Sequence, residues 1–181
     1  MQRCLQLAQK GLGKTYPNPL VGSVIVHHDK IIGEGWHHAA GQPHAEVHAI
    51  DAVKNKELLS EATLYVNLEP CSHHGKTPPC VDLLLKHRLK RVVIGSLDPN
   101  PIVAGTGVAR LQENHCEIRV GVLEKECTEI NRRFFTYHTQ KRPYIVLKWA
   151  ESQDGYIAPT STTKERGVFW LSDSFSQQLV H

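Results

Sequence analysis

Residues 44–48 read His44-Ala45-Glu46-Val47-His48, and residues 69–80 read Glu69-Pro70-Cys71-Ser72-His73-His74-Gly75-Lys76-Thr77-Pro78-Pro79-Cys80. The two stretches offer an imidazole (His44), two thiols (Cys71 and Cys80) and a carboxylate, Glu46, placed two residues beyond the histidine. That donor set suits Zn²⁺. Three protein ligands leave a coordination place for water, which is the catalytic arrangement, whereas structural zinc is closed by four protein ligands. Two thiolates balance the charge of the ion and His44 stays neutral, so the water still needs a base. Glu46, in the first turn of a helix opened by His44, can face the same cavity without coordinating. The pattern predicts a hydrolytic metalloenzyme with His44, Cys71 and Cys80 as metal ligands and Glu46 as the acid/base group. The alternative is structural zinc closed by His48, His73 or His74, which leaves Glu46 idle.

Working outward, strands and helices alternate. Residues 3–10 carry Cys4, Leu5, Leu7 and Ala8 at helical spacing and end at Gly11 and Gly13. Val21–Val26 and Lys30–Gly33 flank His27-His28-Asp29 as a hairpin. Ala45–Lys54 is expected to be a helix, Thr63–Leu68 a buried strand, Cys80–His87 a helix, Arg91–Gly95 a strand, Gly107–Asn114 a helix and Glu117–Val120 a strand. Glu124–Tyr137 reads as one longer helix, with Ile130, Phe134 and Tyr137 spaced to pack on the body. The expected class is α/β, a three-layer α/β/α arrangement around a mixed sheet. Ligands of such sheets settle beyond the carboxyl ends of strands. Glu69-Pro70-Cys71 and Asp98-Pro99-Asn100 follow two of those strands directly.

The composition narrows the class. The chain has 181 residues, 40% hydrophobic and 22% charged, as in soluble globular proteins, and no run approaches the ~20 apolar residues of a membrane span. Gln2 and Arg3 follow Met1 with no apolar core behind them, so no secretory signal is expected. Cys4, Cys116 and Cys127 remain as unpaired thiols, which suits a reducing, cytoplasmic setting. A formal charge of +3 without a basic cluster argues against a nucleic-acid partner, and no membrane partner is expected. A homo-oligomer is compatible with all of this.

A His-x-Glu followed by Pro-Cys-x-x-Cys marks the zinc nucleobase deaminases. Here His44-Ala45-Glu46 and Pro70-Cys71 fit, but eight residues, not two, separate the cysteines. That long segment, with Pro17-Asn18-Pro19, Val21-Gly22, Gly33-Glu34-Gly35-Trp36-His37 and Asp98-Pro99-Asn100-Pro101-Ile102-Val103-Ala104-Gly105, resembles the bifunctional riboflavin biosynthesis deaminase/reductase family. The resemblance runs through nearly the whole chain. It implies a cytidine deaminase-like fold, one Zn²⁺ and hydrolytic deamination of a phosphorylated small molecule, 2,5-diamino-6-(5-phosphoribosylamino)pyrimidin-4(3H)-one. It also implies substrate contacts at Asn18, His37, His73, Lys76, Asp98 and Asn100. The bland readings of these residues stay open: a rigid turn at Asn18, solvated loop positions at His73 and Lys76, turn caps at Asp98 and Asn100, and packing at His37.

The tail resembles the start of that family's reductase half. Pro143–Ala150 reads as a strand and Ser152-Gln153-Asp154-Gly155 as a turn, and Ala150 and Trp170 match positions that touch NADPH in complete relatives. The expected division is a deaminase domain over 1–141 and an incomplete reductase fragment over 142–181. Roughly 40 residues do not build an independent core, so NADPH-dependent reduction is expected only of a full-length chain. Two other readings stay open: deamination of another base or nucleoside, and a zinc-stabilised binding module without catalysis.

Overall fold

The computed structural model describes residues 1–73, 78–101, 103–157, 171–175 and 178. They form two compact units, Met1–Tyr144 and Ile145–His181.

The first unit is built on five strands: β1 (Gly22–His27), β2 (Lys30–Trp36), β3 (Thr63–Leu68), β4 (Arg91–Ser96) and β5 (Glu117–Val120). Their order is β2-β1-β3-β4-β5. β1 is antiparallel to β2 and β3, while β3, β4 and β5 run parallel. The registers Gly22↔Trp36, Ser23↔Val66 and Leu68↔Ser96 gather the start of β1 with the ends of β2, β3 and β4 at one end of the sheet. At the opposite end lie the β1–β2 turn and the entries of β3 and β4, since His27 faces Lys30, Val26 faces Thr63 and Thr63 faces Arg91.

Side chains alternate across a strand, and the core divides accordingly. On one face Ile25, Leu64, Val66, Val92 and Ile94 pack with α2 (Ala45–Ala52), α3 (Cys80–Lys86) and α4 (Thr106–Glu113), through Ala49, Ile50, Val81, Leu84 and Leu111. On the other, Val24 and Tyr65 meet Cys4 and Leu7 of α1 (Gln2–Gln9). α5 (Glu124–Ile130) lies on that same face, where Cys127 meets the backbone of Gly95. This is the expected three-layer arrangement with a mixed sheet.

Glycine lets α2 settle directly on β2. A Cβ at Gly35 would collide with the backbone nitrogen of Ala49, the carbonyl oxygen of Ala45 and Cβ of His48. Because these atoms belong to the helix that carries His44 and Glu46, they have little freedom to yield. Gly35→Ala is expected to cost about 3 kcal/mol of folding free energy, the upper part of the overpacking range. Urea denaturation checks this, and an unshifted midpoint would contradict the close approach.

Three local expectations change. The helix expected over Glu124–Tyr137 is broken at Asn131 into α5 and α6 (Arg132–Gln140). Asn131 is buried, and its side chain faces Leu20, accepting from Leu20 N at 2.7 Å and donating to Leu20 O at 2.9 Å. A residue committed to a segment so remote in sequence ends one helix and starts the next. α6 then buries none of its residues, and Tyr137, expected against the body, is 59% exposed. A 3₁₀ turn at Lys56–Ser60, started by Asn55 accepting from Glu57 N at 3.0 Å, was not signalled by periodicity.

No strand forms at Pro143–Ala150, which runs from the end of the first unit into the second. An isolated extended segment has no neighbour to take its backbone hydrogen bonds, and among the described residues no strand pairs with it. Ile145, Val146, Leu147 and Trp149 are accordingly exposed. The turn after it does form: Ser152 N donates to Tyr156 O at 2.8 Å, and Gly155 takes a φ of 83°. No helix among the described residues is long and apolar enough to cross a membrane.

Candidate active site

His44 caps the start of α2 with extended backbone (φ −75°, ψ 167°), and Glu46 is buried within the first turn of that helix. Cys71 follows β3 through Glu69-Pro70, and Cys80 is the first residue of α3. The two cysteines meet because Val81 N donates to Cys71 O at 3.1 Å and Cys80 N donates to Cys71 Sγ at 3.3 Å. The eight-residue spacer therefore closes on itself.

His44 Nδ1 stands 3.5 Å from Cys71 Sγ and 3.3 Å from Cys80 Sγ, and the three donor atoms lie within 4.8 Å of one another. A tetrahedral zinc with bonds of about 2.3 Å to sulfur and about 2.0 Å to nitrogen sets N and S about 3.5 Å apart. The residues thus fit the ion in both chemistry and spacing. Neighbouring donors push the Cys71 thiol down to about 4: the Cys80 thiol and backbone N–H, with His44. Cys80 is pushed up, first by the hydrogen bond its thiol shares with Cys71 and then by burial.

Glu46 is 3% exposed and lies close enough to Cys71, His44 and Cys80 for each to influence its carboxyl. Burial raises it to about 7, with the Cys71 thiolate adding to the shift. Beside it His37 is buried, its ring 5.5 Å from that of His44. Burial holds His37 below the usual histidine range. The neutral ring donates from Nδ1 to Pro43 O at 3.1 Å, which leaves Nε2 to accept from Asn18 Nδ2 at 3.0 Å. Asn18 and His37 are therefore joined next to His44.

The third group lies beyond β4. Asp98 Oδ1 accepts from Asn100 N at 2.8 Å, and burial raises the Asp98 carboxyl to about 6, with His73 and Cys71 close enough to influence it. His73 is exposed, while Asn100 is partly buried. Lys76 lies outside the described residues, as does Trp170. Ala150 is exposed and in no strand. Cys4, Cys116 and Cys127 are free and buried, and burial pushes Cys4 up to about 12. They are core residues.

Three residues that sequence reasoning left without a role hold these loops. Asn67 accepts from Gly22 N at 2.7 Å and donates to Leu20 O at 3.0 Å, so with Asn131 it fixes the segment after Asn18. The visible signal was a polar residue inside the apolar run Thr63–Leu68. Glu69, 4% exposed, accepts four backbone N–H groups: Asp98 and Gly105 on Oε2 at 3.2 and 2.9 Å, Gly107 and Val108 on Oε1 at 3.0 and 3.1 Å. Its carboxylate shapes the loop of Asp98 and Asn100 and caps α4, where Gly105 takes a left-handed φ of 74°. Glu69→Gln puts an NH₂ group against N–H donors and should cost about 2 kcal/mol or more in urea denaturation. A stability loss near zero would mean that water replaces the carboxylate.

The sequence pattern of the cytidine and deoxycytidylate deaminase zinc-binding region matches residues 1–96, which include His44, Glu46, Cys71 and Cys80. The chain belongs to the cytidine and deoxycytidylate deaminase family. Its fold is that of this family, a cytidine deaminase-like three-layer domain. The chain is also 47% identical over all 181 residues to the riboflavin biosynthesis protein RibD of Aquifex aeolicus, covering 49% of that protein. In shape it is similar to RibD of Acinetobacter baumannii, with a TM-score of 0.89 at 43% identity over 99% of this chain and 49% of that one. A diaminohydroxyphosphoribosylaminopyrimidine deaminase/5-amino-6-(5-phosphoribosylamino)uracil reductase of Thermotoga maritima gives 0.86 at 45% identity, over 99% of this chain and 50% of that one. The resemblance read from the sequence thus holds along the chain. The chain spans about half the length of the curated relatives it matches.

Proposed function

We propose that this chain performs the deamination step of riboflavin biosynthesis, converting 2,5-diamino-6-(5-phosphoribosylamino)pyrimidin-4(3H)-one to 5-amino-6-(5-phosphoribosylamino)uracil and ammonia. The observation that carries the proposal is the convergence of the ligand atoms of His44, Cys71 and Cys80 within 4.8 Å of one another, with buried Glu46 two residues after His44 in the first turn of α2. The similarity to one relative named for riboflavin biosynthesis and to another named for this deaminase supports the choice of substrate.

In this reading His44, Cys71 and Cys80 hold one Zn²⁺, which when bound acts as a Lewis acid and lowers the pKa of water. Glu46 takes one proton from the attacking water and delivers it to a ring nitrogen, then takes the second from the added hydroxyl as the C=O bond forms and the C–N bond breaks, and delivers it to the departing amine. A carboxyl held in a dry place suits such traffic. Asn18, oriented by neutral His37, holds the polar edge of the ring. Lys76 and Asn100 are assigned to the ribosyl phosphate, and His73 and Asp98 are assigned as further substrate contacts. Residues 1–141 are assigned to the deaminase and 142–181 to the start of a reductase domain. The three buried free thiols favour a reducing, cytoplasmic compartment. Ammonia release assayed on the pyrimidinone ribosyl phosphate, beside cytosine, guanine and an RNA adenosine, tests the assignment. Release from one of the latter three alone would redirect it.

A further inference from the structure

A second group of metal donors stands at the other end of the sheet. His27, His28 and Glu61 each bring a ligand atom within 4.8 Å of the others. His27 ends β1 and Glu61 lies just before β3, whose far end leads to Cys71. A strand of six residues spans about 20 Å, so this cluster is separate from the deaminase centre.

Its backbone is already set. His28 and Asp29 form a two-residue turn with φ values of 44° and 60°, both left-handed. Such a turn favours Asn and Gly, and a histidine there is strained. It brings the His28 ring to 4.1 Å from that of His27, edge to face. On the other side, Arg91 fixes the chain by donating to Glu61 O at 2.6 Å and to Thr63 Oγ1 at 3.0 Å. Glu61 Oε2 then lies 3.6 Å from His27 Nε2. That nitrogen is buried and has no hydrogen-bond partner, which is costly for a polar atom unless something else satisfies it.

We propose that His27, His28 and Glu61 form a second, surface site for a divalent transition ion of the zinc, nickel and copper group. Two imidazoles and one carboxylate match the preference of these ions for nitrogen with some oxygen. The 3.6 Å separation is close to the edge set by metal bonds of about 2.1 Å. Water completes the shell on the exposed side. Arg91, whose charge opposes a cation, keeps the affinity below that of the thiolate centre. A bound ion ties the β1–β2 turn to the entry of β3 and stabilises the fold by mass action.

The test is calorimetric titration of Zn²⁺ into the full chain already loaded with zinc at its cysteine centre. The wild type should show a further binding event, and the same zinc should raise its melting temperature. His28→Ala and Glu61→Gln, both at exposed positions, should each weaken that event about 10-fold or more. Both should leave ammonia release unchanged. No further event in the wild type would overturn the proposal. So would an event that both variants keep, which would put the ion on other surface histidines.

Discussion

Glu46→Gln is expected to keep its zinc and lose about 10²-fold or more in the rate of ammonia release, the usual scale of a general acid/base contribution. The amide fills the same buried space, 3% exposed beside Cys80, so folding and metal content serve as controls. It carries no exchangeable charge with which to take a proton from water and return it to the leaving amine. The effect should fall on kcat more than on KM, because the group acts on the reacting atoms. Steady-state kinetics with metal analysis on the same sample decides it. A variant as fast as the wild type would remove Glu46 from the chemistry and leave its burial unexplained.

The second large effect concerns the cysteines. Cys80→Ser removes a soft thiolate and substitutes a hydroxyl that stays protonated. Replacing groups that merely orient metal ligands already costs 10–100-fold in affinity, so losing a ligand should weaken zinc binding by more than about 100-fold and reduce activity to background. Cys71→Ser should do the same. Burial argues that Cys80→Ser is also the more destabilising, since Cys80 is 1% exposed and opens α3. Zinc per chain after dialysis, with circular dichroism as the fold control, measures both. Full zinc retention in either variant would mean that the ion is held elsewhere.

The parts of this molecule that could be read in advance are those in which residue type alone carries the chemistry. His44, Cys71 and Cys80 are unusual donors, and the topology brings them together because β3 and α2 end and begin at the same end of the sheet. Strands with buried apolar runs, such as Thr63–Leu68, were equally legible. Asn131 was not, because Ile130, Phe134 and Tyr137 continue a helical period and the break comes from Leu20, a contact that no local window contains. Glu69 was hidden for a related reason: its partners are backbone N–H groups, which leave no mark in sequence. The Pro143–Ala150 segment shows the converse, a strand-like composition that forms no strand and pairs with none among the described residues.

The account stands on one assay: ammonia release by the zinc-loaded chain from 2,5-diamino-6-(5-phosphoribosylamino)pyrimidin-4(3H)-one, before and after removal of the metal by a chelator. The expected result is turnover that disappears with the zinc, returns when zinc is restored, and is accompanied throughout by an intact fold. Undiminished turnover in metal-free protein, or no ammonia from this substrate with His44, Cys71 and Cys80 fully loaded, would contradict it.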